Sequence, residues 1–351
     1  MNFIRLTYWM RAARVTAVDS MRGTRVSRPG PVRLRVALPW FEPAADGFGA
    51  PEVRLPAAEW LVARGEAPVA VQVPWRTWLA GDALAPGGGL ERHAAGPCLR
   101  ALDGGAATDA TWAALRPVHL LAAIDHLQVA ERPVRLDAEE AAAITADLGR
   151  HFATDGLEFH AGGRRDWLLR VDRELRCDTV APDALPGRNL RDLMPRGQHA
   201  AAVASFMNEV QMLLHEHPVN VARAARGEAP ANALWPWGFG RAAAQPPLEL
   251  PALCSDDDWL AGAWRMHGAT AHATDALAAL LRDGAREVLV AWSEPADAAE
   301  MERSCFEPLV DALGRGDVVV DLLIGGRACR VDRHARRRFW RRRRPLGEAL
   351  A

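Results

Sequence analysis

The stretch from residue 274 to residue 324 most constrains the fold, because helix and strand signals alternate along it with short links. Strands that alternate with helices in this way form a mainly parallel sheet covered by helices. The predicted elements are a helix over 275–283 that Thr274 caps and Gly284 ends, a strand over 287–292, a helix over 296–313 closed by Gly314, and a strand over 317–324. The sequence therefore predicts an α/β core.

An earlier strand, predicted over residues 32–38, shares this buried character and is followed by Pro39. The intervening segment is of another type. Its predicted elements are a helix that Asp137 and Glu140 cap, a hairpin of strands 157–160 and 167–171 around Gly162 and Gly163, and a helix over 200–215 before Pro218. We therefore predict an α+β domain over residues 116–245, inserted into a core made of residues 31–115 and 246–326.

Two ends and one stretch lie outside these patterns. Residues 1–30 are expected to be unstructured or a misassigned start, and residues 81–107, which are rich in glycine, are expected to be mostly loop. Residues 327–351 form an Arg-rich C-terminal segment. No apolar run approaches the roughly 20 residues that a membrane-spanning helix needs, and no signal peptide is evident. Five scattered cysteines suit a reducing compartment, so a cytoplasmic location is expected.

Composition excludes several kinds of chemistry. All 43 basic residues are Arg, and the sequence contains no Lys. Schiff-base chemistry, P-loop nucleotide hydrolysis and protein-kinase catalysis each need a lysine amine, so they are excluded. The formal net charge is −1, which gives the whole chain no strong preference for nucleic acid.

Residues 208–240 combine amides, two histidines and a Trp-Pro-Trp-Gly-Phe-Gly turn. This segment resembles the end of the inserted domain in archaeal-type, cofactor-independent phosphoglycerate mutases, and more closely the related RpfE-type bacterial regulatory proteins. The resemblance implies an alkaline-phosphatase-like, mainly parallel sheet interrupted by an inserted α+β domain. The candidate ligand-binding residues are Asn208, Asn220, Asn232, Trp235, Gly238 and Gly240. Amides donate and accept hydrogen bonds, and glycines permit close backbone approach.

The same resemblance implies two divalent metals, held by Asp and His, and a serine that carries the phosphoryl group. The expected ligand positions are poorly matched. Asp46-Gly47 lies well after the first strand, Ser293-Glu294 follows the strand over 287–292 with no nearby His, and Asp332-Arg333-His334 lies among arginines. No Ser occurs between Ser27 and Ser205, and the hydroxyls of Thr77, Thr108 and Thr111 are the alternatives there. We therefore predict no metal site, with two Mn or Zn ions as the alternative.

Several polar residues have a structural interpretation beside a functional one. His215 and His217, two residues apart, face different sides of a helix, so backbone contacts are favoured over a shared metal. The Trp235 to Gly240 turn either contacts a ligand or fastens the insert to the core. Arg191, Arg196 and Arg223 could bind phosphate. In the C-terminal segment, Phe339 and Trp340 are expected to pack on the core, and nucleic-acid or membrane binding is disfavoured.

Three functions follow from these observations. The favoured one is a non-catalytic regulatory or ligand-sensing protein built on a phosphoglycerate-mutase-like scaffold, with a phosphorylated small molecule or a protein as its partner. The second is a metal-dependent phosphomutase or phosphohydrolase with an unrecognised site. The third is a nucleic-acid binder that uses the Arg-rich C-terminus.

Overall fold

The computed structural model describes residues 31–41, 54–90, 93–105, 110–161, 165–316 and 318–350. Its strands are β1 Val32–Leu38, β2 Val69–Ala70, β3 Thr111–Val118, β4 Leu120–Ala122, β5 Leu127–Val129, β6 Leu157–His160, β7 Trp167–Val171, β8 Ala233–Arg241, β9 Ala252–Ser255, β10 Ala271–His272, β11 Glu287–Ala291, β12 Val318–Ile324 and β13 Arg327–Asp332. Its α-helices are α1 Pro56–Arg64, α2 Trp75–Leu84, α3 Ala95–Leu102, α4 Ala138–His151, α5 Leu190–Leu193, α6 Ala200–His215, α7 Pro218–Ala225, α8 Asp258–Met266, α9 Leu277–Arg282, α10 Ala298–Met301, α11 Glu307–Arg315 and α12 Leu346–Leu350.

The larger sheet has the strand order β10-β9-β11-β1-β12-β13-β2. The first five strands of that order are parallel, and β13 and β2 pair antiparallel at one edge. Strand β1 lies between β11 and β12, although more than 200 residues separate it from them in the sequence. The predicted α/β class, with a mainly parallel core sheet that an α+β insert interrupts, is therefore confirmed.

Both faces of the core sheet are covered, and its central strands bury apolar side chains on both sides. In β1, Leu34, Val36 and Leu38 are fully buried against α1, α11 and α12. Ala37 faces the opposite side, where it joins residues of α2 and α8 such as Leu79 and Trp264. The side-chain alternation of a strand thus serves two hydrophobic layers.

The second sheet is antiparallel, with the order β6-β7-β3-β8, and its strands lie between β1 and β9 in the chain. We call the segment from β3 to β8 the insert. Helices α4 and α6 cover one face of this sheet, and the buried Ile144 and Val210 contribute to that layer. Strand β3 begins at Thr111, before the predicted domain start at residue 116; the predicted domain boundaries stay predictions.

Two expectations about helices in the C-terminal part of the core were wrong. Thr274 makes no side-chain cap, because a 3-10 turn over Thr274–Ala276 precedes α9. The helix predicted over 296–313 contains a π-helical turn, Glu302–Phe306, and runs on to Arg315. Pro308 lies in the first turn of α11 and has no N–H to donate to the preceding turn, which accounts for the wider turn there.

Residues 81–107, expected to be mostly loop, contain α3. A Cβ atom on Gly96 of this helix would lie 2.4 Å from the backbone carbonyl of Trp112. The glycine is therefore needed where α3 approaches β3 closely, rather than for loop flexibility. Helix α3 also contacts α8, where a Cβ atom on Gly262 would lie 2.3 Å from the backbone oxygen of Cys98.

The C-terminal segment also differs from expectation. Phe339 and Trp340 do not pack on the core, since 77% and 66% of their surfaces are exposed. Ala335 and Leu346, which are buried, hold the chain on either side of them. Among the residues that the structure describes, no helix is both long and apolar enough to cross a bilayer.

Some expectations concern residues outside the described part of the chain. These are the unstructured start over residues 1–30, Asp46-Gly47 as a metal motif, Thr108 as a hydroxyl, and the Gly162-Gly163 turn. The two strands that flank that turn do pair antiparallel as predicted.

Candidate functional site

The carboxyl ends of parallel strands are where α/β sheets place their functional groups. Strands β9 and β11 are neighbours in the core sheet, and polar residues follow both. Asp256 comes directly after β9, and Ser293 and Glu294 come shortly after β11. The backbone N–H of Ser293 donates to Asp256 Oδ1 over 2.6 Å, which joins the two strand ends.

Arg165 of the insert reaches this edge of the core. Its Nη2 atom donates to the backbone oxygen of Asp256 over 2.8 Å and lies 3.1 Å from Ser293 Oγ. Its Nη1 atom lies 2.8 Å from Glu294 Oε1. Arg135, also in the insert, binds the other carboxylate oxygen of Glu294 over 2.8 Å. One guanidinium therefore bonds to groups from both strand ends, and a second one completes the pairing of Glu294.

A second ion-pair group lies close by in the fold and centres on Arg76 of α2, which is 6% exposed. Its Nε and Nη2 atoms donate to Asp257 Oδ2 over 3.1 and 2.7 Å. It also pairs with Asp183 of the insert, and the rings of Trp75 and Trp259 flank it at 4.3 and 5.0 Å. A buried arginine is thus neutralised by two carboxylates and held between aromatic rings.

A third pair lies within the insert. Arg116 on β3 makes two hydrogen bonds of 2.7 Å to the carboxylate of Asp166. Trp237 Nε1 adds a 3.2 Å hydrogen bond to Asp166 Oδ1, so this buried carboxylate has three donors. We call the set of these residues the ion-pair edge: Arg76, Arg116, Arg135, Arg165, Asp166, Asp183, Asp256, Asp257, Ser293 and Glu294.

Electrostatics differ between the carboxylates of this edge. Burial raises the pKa of Asp256, and hydrogen bonds from Ser293 and the charge of Arg165 only partly offset it. Burial would also raise the pKa of Asp183, but the charge and hydrogen bonds of Arg76 outweigh burial and lower it. The fold therefore disfavours the ionised form of Asp256 and favours the ionised form of Asp183.

The side chains at the ends of β9 and β11 do not fit a two-metal site. Asp256, Ser293 and Glu294 already bond to Arg165, whose positive charge would repel a dication at the same place. No group of three or more potential His, Cys, Asp or Glu ligands is found in the described residues. Asp332 and His334, the other expected pair, bond to each other over 2.9 Å at the start of a 3-10 turn.

The amides of the predicted ligand-binding set mostly contact backbone. Asn220 is buried, and its side chain bonds to the backbone oxygens of Leu214 and Ala231 and to the backbone N–H of Ala231. Asn232 bonds to both backbone groups of Leu120, over 2.7 and 2.9 Å. Asn208 is exposed on α6. The structure therefore does not bring these three amides to one point.

The aromatic and glycine members of that set pack the insert. Trp235 is buried, and its Nε1 atom donates to the backbone oxygen of Val180 over 2.8 Å. A Cβ atom on Gly238 would lie 2.5 Å from Ala95 Cβ. Gly240 lines an open cavity of about 490 Å³ together with Thr111, Glu174, Arg176, Cys177 and Gln198. A ligand-binding role for the six predicted residues stays a prediction, and Gly240 alone among them borders this cavity.

The other polar candidates have local partners. His217 caps α7 by accepting from the backbone N–H of Val219, and its Nε2 atom lies 3.2 Å from Asp147 Oδ2. Arg223 is buried and pairs with Glu140 over 2.6 Å. Sequence reasoning missed Arg76, Arg165 and the aspartates that they meet, because no local motif marks a contact between residues 91 to 181 positions apart.

Comparison with known proteins identifies relatives for part of the chain. The family model of "2,3-bisphosphoglycerate-independent phosphoglycerate mutase" matches residues 98–220. A mutase of that name from Methanothrix thermoacetophila is 33% identical over 119 residues, which cover 32% of this chain and 30% of the relative. A probable mutase from Geobacter sulfurreducens is 31% identical over 90 residues, or 25% of this chain and 23% of the relative.

Two solved structures match more of the chain at lower identity. The cofactor-independent phosphoglycerate mutase of Thermoplasma acidophilum is 17% identical, covers 86% of this chain and 89% of its own, and has a TM-score of 0.38. The PH0037 protein of Pyrococcus horikoshii is 13% identical, with coverages of 86% and 87% and a TM-score of 0.42. The sequence matches support the predicted phosphoglycerate-mutase-like scaffold, and they span less than a third of the curated relatives' length.

Proposed function

We propose that this chain is a non-catalytic regulatory or ligand-sensing protein built on a phosphoglycerate-mutase-like scaffold, as its resemblance to the RpfE-type proteins implies. One observation carries the proposal. At the carboxyl ends of β9 and β11, Arg165 bonds to the Asp256 backbone, the Ser293 hydroxyl and the Glu294 carboxylate. The resemblance places metal ligands after β11. In this chain the carboxylate at that place, Glu294, pairs with the positively charged Arg165 instead.

The absence of a serine where the resemblance calls for one also supports the proposal. The resemblance calls for a serine in the first part of the core, and the sequence has none between Ser27 and Ser205. Thr111 lies in that interval, but its hydroxyl donates to the backbone oxygen of Arg173 over 2.8 Å and accepts from the N–H of Leu175. Its oxygen is therefore engaged in holding β3 to the loop after β7.

The ion-pair edge offers a way to sense an anion. Glu294 of the core holds Arg135 and Arg165 of the insert, and both guanidinium groups bind a carboxylate as they would bind a phosphate. A phosphorylated small molecule that replaced Glu294 at these arginines would change how the core and the insert are tied together. Such a ligand would raise the stability of the native protein, and the gain would grow with the logarithm of one plus the ratio of ligand concentration to dissociation constant.

Metal content and turnover test the proposal together. The protein is incubated with Mn²⁺ or Zn²⁺, freed of excess ion, and analysed for bound metal and for interconversion of 3- and 2-phosphoglycerate, with an active cofactor-independent mutase alongside. We expect no retained metal and no turnover, with a rise in melting temperature for at least one phosphorylated metabolite. Two ions per chain with turnover would overturn the proposal.

The competing candidate is a metal-dependent phosphomutase or phosphohydrolase. It is favoured by one observation, the similarity of residues 98–220 to proteins named as mutases. Hydrolysis of p-nitrophenyl phosphate by the metal-treated protein, abolished by a chelator, would support this candidate. A matched Arg165→Gln variant tests the link to the ion-pair edge, since removing the guanidinium charge would favour dication binding there.

A further inference from the structure

Residues 336–344 are the densest run of positive charge in the sequence. They comprise seven arginines, one phenylalanine and one tryptophan, with no acidic residue. Nearby arginines do have carboxylate partners, as Arg330 has Asp321 at 2.7 Å. Within the part of the chain that the structure describes, none of these seven arginines makes an ion pair with a carboxylate. No described carboxylate at salt-bridge distance therefore neutralises their charge.

This segment is fixed to the core at two points. Arg338 Nη1 donates to the backbone oxygen of Arg64 over 2.7 Å, and Arg341 Nη1 donates to that of Gly65 over 2.8 Å. These oxygens lie at the C-terminus of α1, where cationic side chains are stabilised. The anchors leave Arg342, Arg343 and Arg344 exposed beside them.

Two aromatic rings project from the same segment. Phe339 and Trp340 are 77% and 66% exposed, and their rings meet edge to face with centroids 5.5 Å apart. Large exposed aromatic side chains that lie together mark binding surfaces more often than chance. Flat, accessible ring faces among arginines suit the stacking of unpaired bases.

A groove lies between α1 and this segment. It has a volume of about 470 Å³ and is lined by Arg54, Arg64, Phe339, Arg341, Arg342 and Arg343, with the paired Glu59. Partial burial and the nearby charge of Arg343 lower the pKa of Arg64. Two like charges therefore face each other here, and a phosphate group between them would relieve the repulsion.

We propose that residues 336–344 bind single-stranded nucleic acid, with phosphates on Arg342, Arg343 and Arg344 and bases stacked on Phe339 and Trp340. An anionic bilayer is also attracted by arginine and tryptophan. The groove favours the nucleic acid, because a narrow flexible chain can enter it and a flat membrane surface cannot. The proposal is independent of whether the ion-pair edge senses a metabolite.

Fluorescence anisotropy with a labelled 15-nucleotide oligothymidylate, recorded over a series of salt concentrations on the full chain, tests the arginines. Each phosphate contact contributes about 0.7 to the slope of log affinity against log salt for a single strand. The triple variant Arg342→Ser, Arg343→Ser, Arg344→Ser should therefore lower the slope by about two and weaken binding about tenfold or more. The matched control replaces exposed Arg132, Arg188 and Arg303 by Ser, changes the net charge equally, and should alter affinity less than about twofold.

The aromatic contribution has its own variant. Stacking is worth about 1–3 kcal/mol per base, so Phe339→Ala with Trp340→Ala, which removes two stacking rings, should weaken binding about thirtyfold or more with an unchanged salt slope. The exposed pair Met212→Ala with Val221→Ala is the control for loss of apolar surface. The proposal is overturned by equal losses in variant and control, by a duplex that binds as tightly as the single strand, or by binding to phosphatidylserine vesicles without binding to the oligonucleotide.

Discussion

The Nε2 atoms of His93 and His267 lie 2.7 Å apart in the interior of the protein. Both residues are almost fully buried. The Nδ1 atom of His93 faces the backbone oxygen of Gly89 at 2.7 Å, and that of His267 faces the backbone oxygen of Pro246 at 2.6 Å. With both Nδ1 atoms donating to those oxygens, the contact between the two Nε2 atoms has room for one proton and no more.

This pair predicts that stability falls at acid pH. Burial is the main cause that lowers the pKa of His93 below its ordinary value of 6.5, and the charge of His267 adds to it. The unfolded chain can protonate both rings, so it binds more protons than the native state below about pH 6.5. We expect the free energy of unfolding, measured with urea, to decrease as the pH falls from 7.5 to 5.

The variant His93→Gln separates this effect from general acid sensitivity. The variant should be less stable at pH 7.5 by about 1–2 kcal/mol, because a buried hydrogen bond is lost. The difference from the unsubstituted protein should shrink as the pH falls, since the variant no longer has a buried ring to protonate at this position. A difference that grows toward pH 5 would contradict the prediction and show that the native pair holds a proton more tightly than the unfolded chain does.

The two carboxylates that pair with Arg76 should differ in how much they stabilise the protein. Asp257 is 6% exposed as a side chain and Asp183 is 42% exposed, so Asp257 should contribute more to stability. We expect Asp257→Asn to cost about 2–3 kcal/mol, because it leaves the buried Arg76 with a single charged partner. Asp183→Asn should cost about 1 kcal/mol or less, as expected for a solvent-screened pair.

Asn is the right substitution at position 257, because Asp257 Oδ1 also accepts from the backbone N–H of Leu260 and caps α8. Asn retains the cap, whereas Asp257→Ala loses it and should cost about 1 kcal/mol more. Chemical denaturation of the three variants measures each step. Equal costs for Asp257→Asn and Asp183→Asn would mean that burial does not set the strength of this ion pair.

Several local signals in the sequence predicted local structure correctly. The capping box of α4 is present, with Asp137 accepting from the N–H of Glu140 and Glu140 accepting from the N–H of Asp137. The strand Val32–Leu38 and the helix Ala200–His215 have the predicted bounds. Capping, periodicity and β-branched runs act between residues a few positions apart, so one sequence contains the needed information.

The features that sequence reasoning missed depend on distant residues. Arg76 meets partners 107 and 181 positions away, and Arg165 meets Ser293 at a separation of 128. Helix α3 was missed for a related reason, since Gly96 signals loop locally and is explained only by the backbone of β3 against it. Chain topology brings these partners together, and the type of a residue does not indicate which distant residue it will meet.

The contact between Gly238 and α3 predicts a steric cost. Gly238 has φ of 61°, and an added Cβ atom would lie 2.5 Å from Ala95 Cβ. Gly268 has φ of 83° and no atom within 4 Å of its added Cβ. Gly268→Ala should therefore cost about 1–2 kcal/mol from backbone strain alone. Gly238→Ala should cost a further 1–3 kcal/mol, roughly, from overpacking.

Thermal or chemical unfolding of both alanine variants measures the two costs. Because both glycines have positive φ, the difference between the variants isolates the contact with Ala95. Adding Ala95→Gly to Gly238→Ala would remove the clashing Cβ atom, but it would also place a second glycine in α3 beside Gly96. The single variants are therefore the cleaner test. Equal destabilisation would show that α3 can move away from β8 freely.

For Asp256 we expect the opposite pH dependence of stability from that of a carboxylate that an ion pair stabilises. Burial raises its pKa, so the native state disfavours the ionised carboxylate, and stability from this group is lost as the pH rises through the native pKa. Asp256→Asn keeps an acceptor for the N–H of Ser293 and removes the charge. At pH 7 the variant should match or exceed the original stability by less than about 1 kcal/mol, and the difference should vanish near pH 3.

Glu294→Gln is the matched comparison and should destabilise by about 1 kcal/mol, because Glu294 accepts from Arg135 and Arg165 at 2.8 Å each. Urea unfolding at both pH values decides between them: a clear loss of stability in Asp256→Asn at pH 7 would mean that Arg165 needs this carboxylate as an anion.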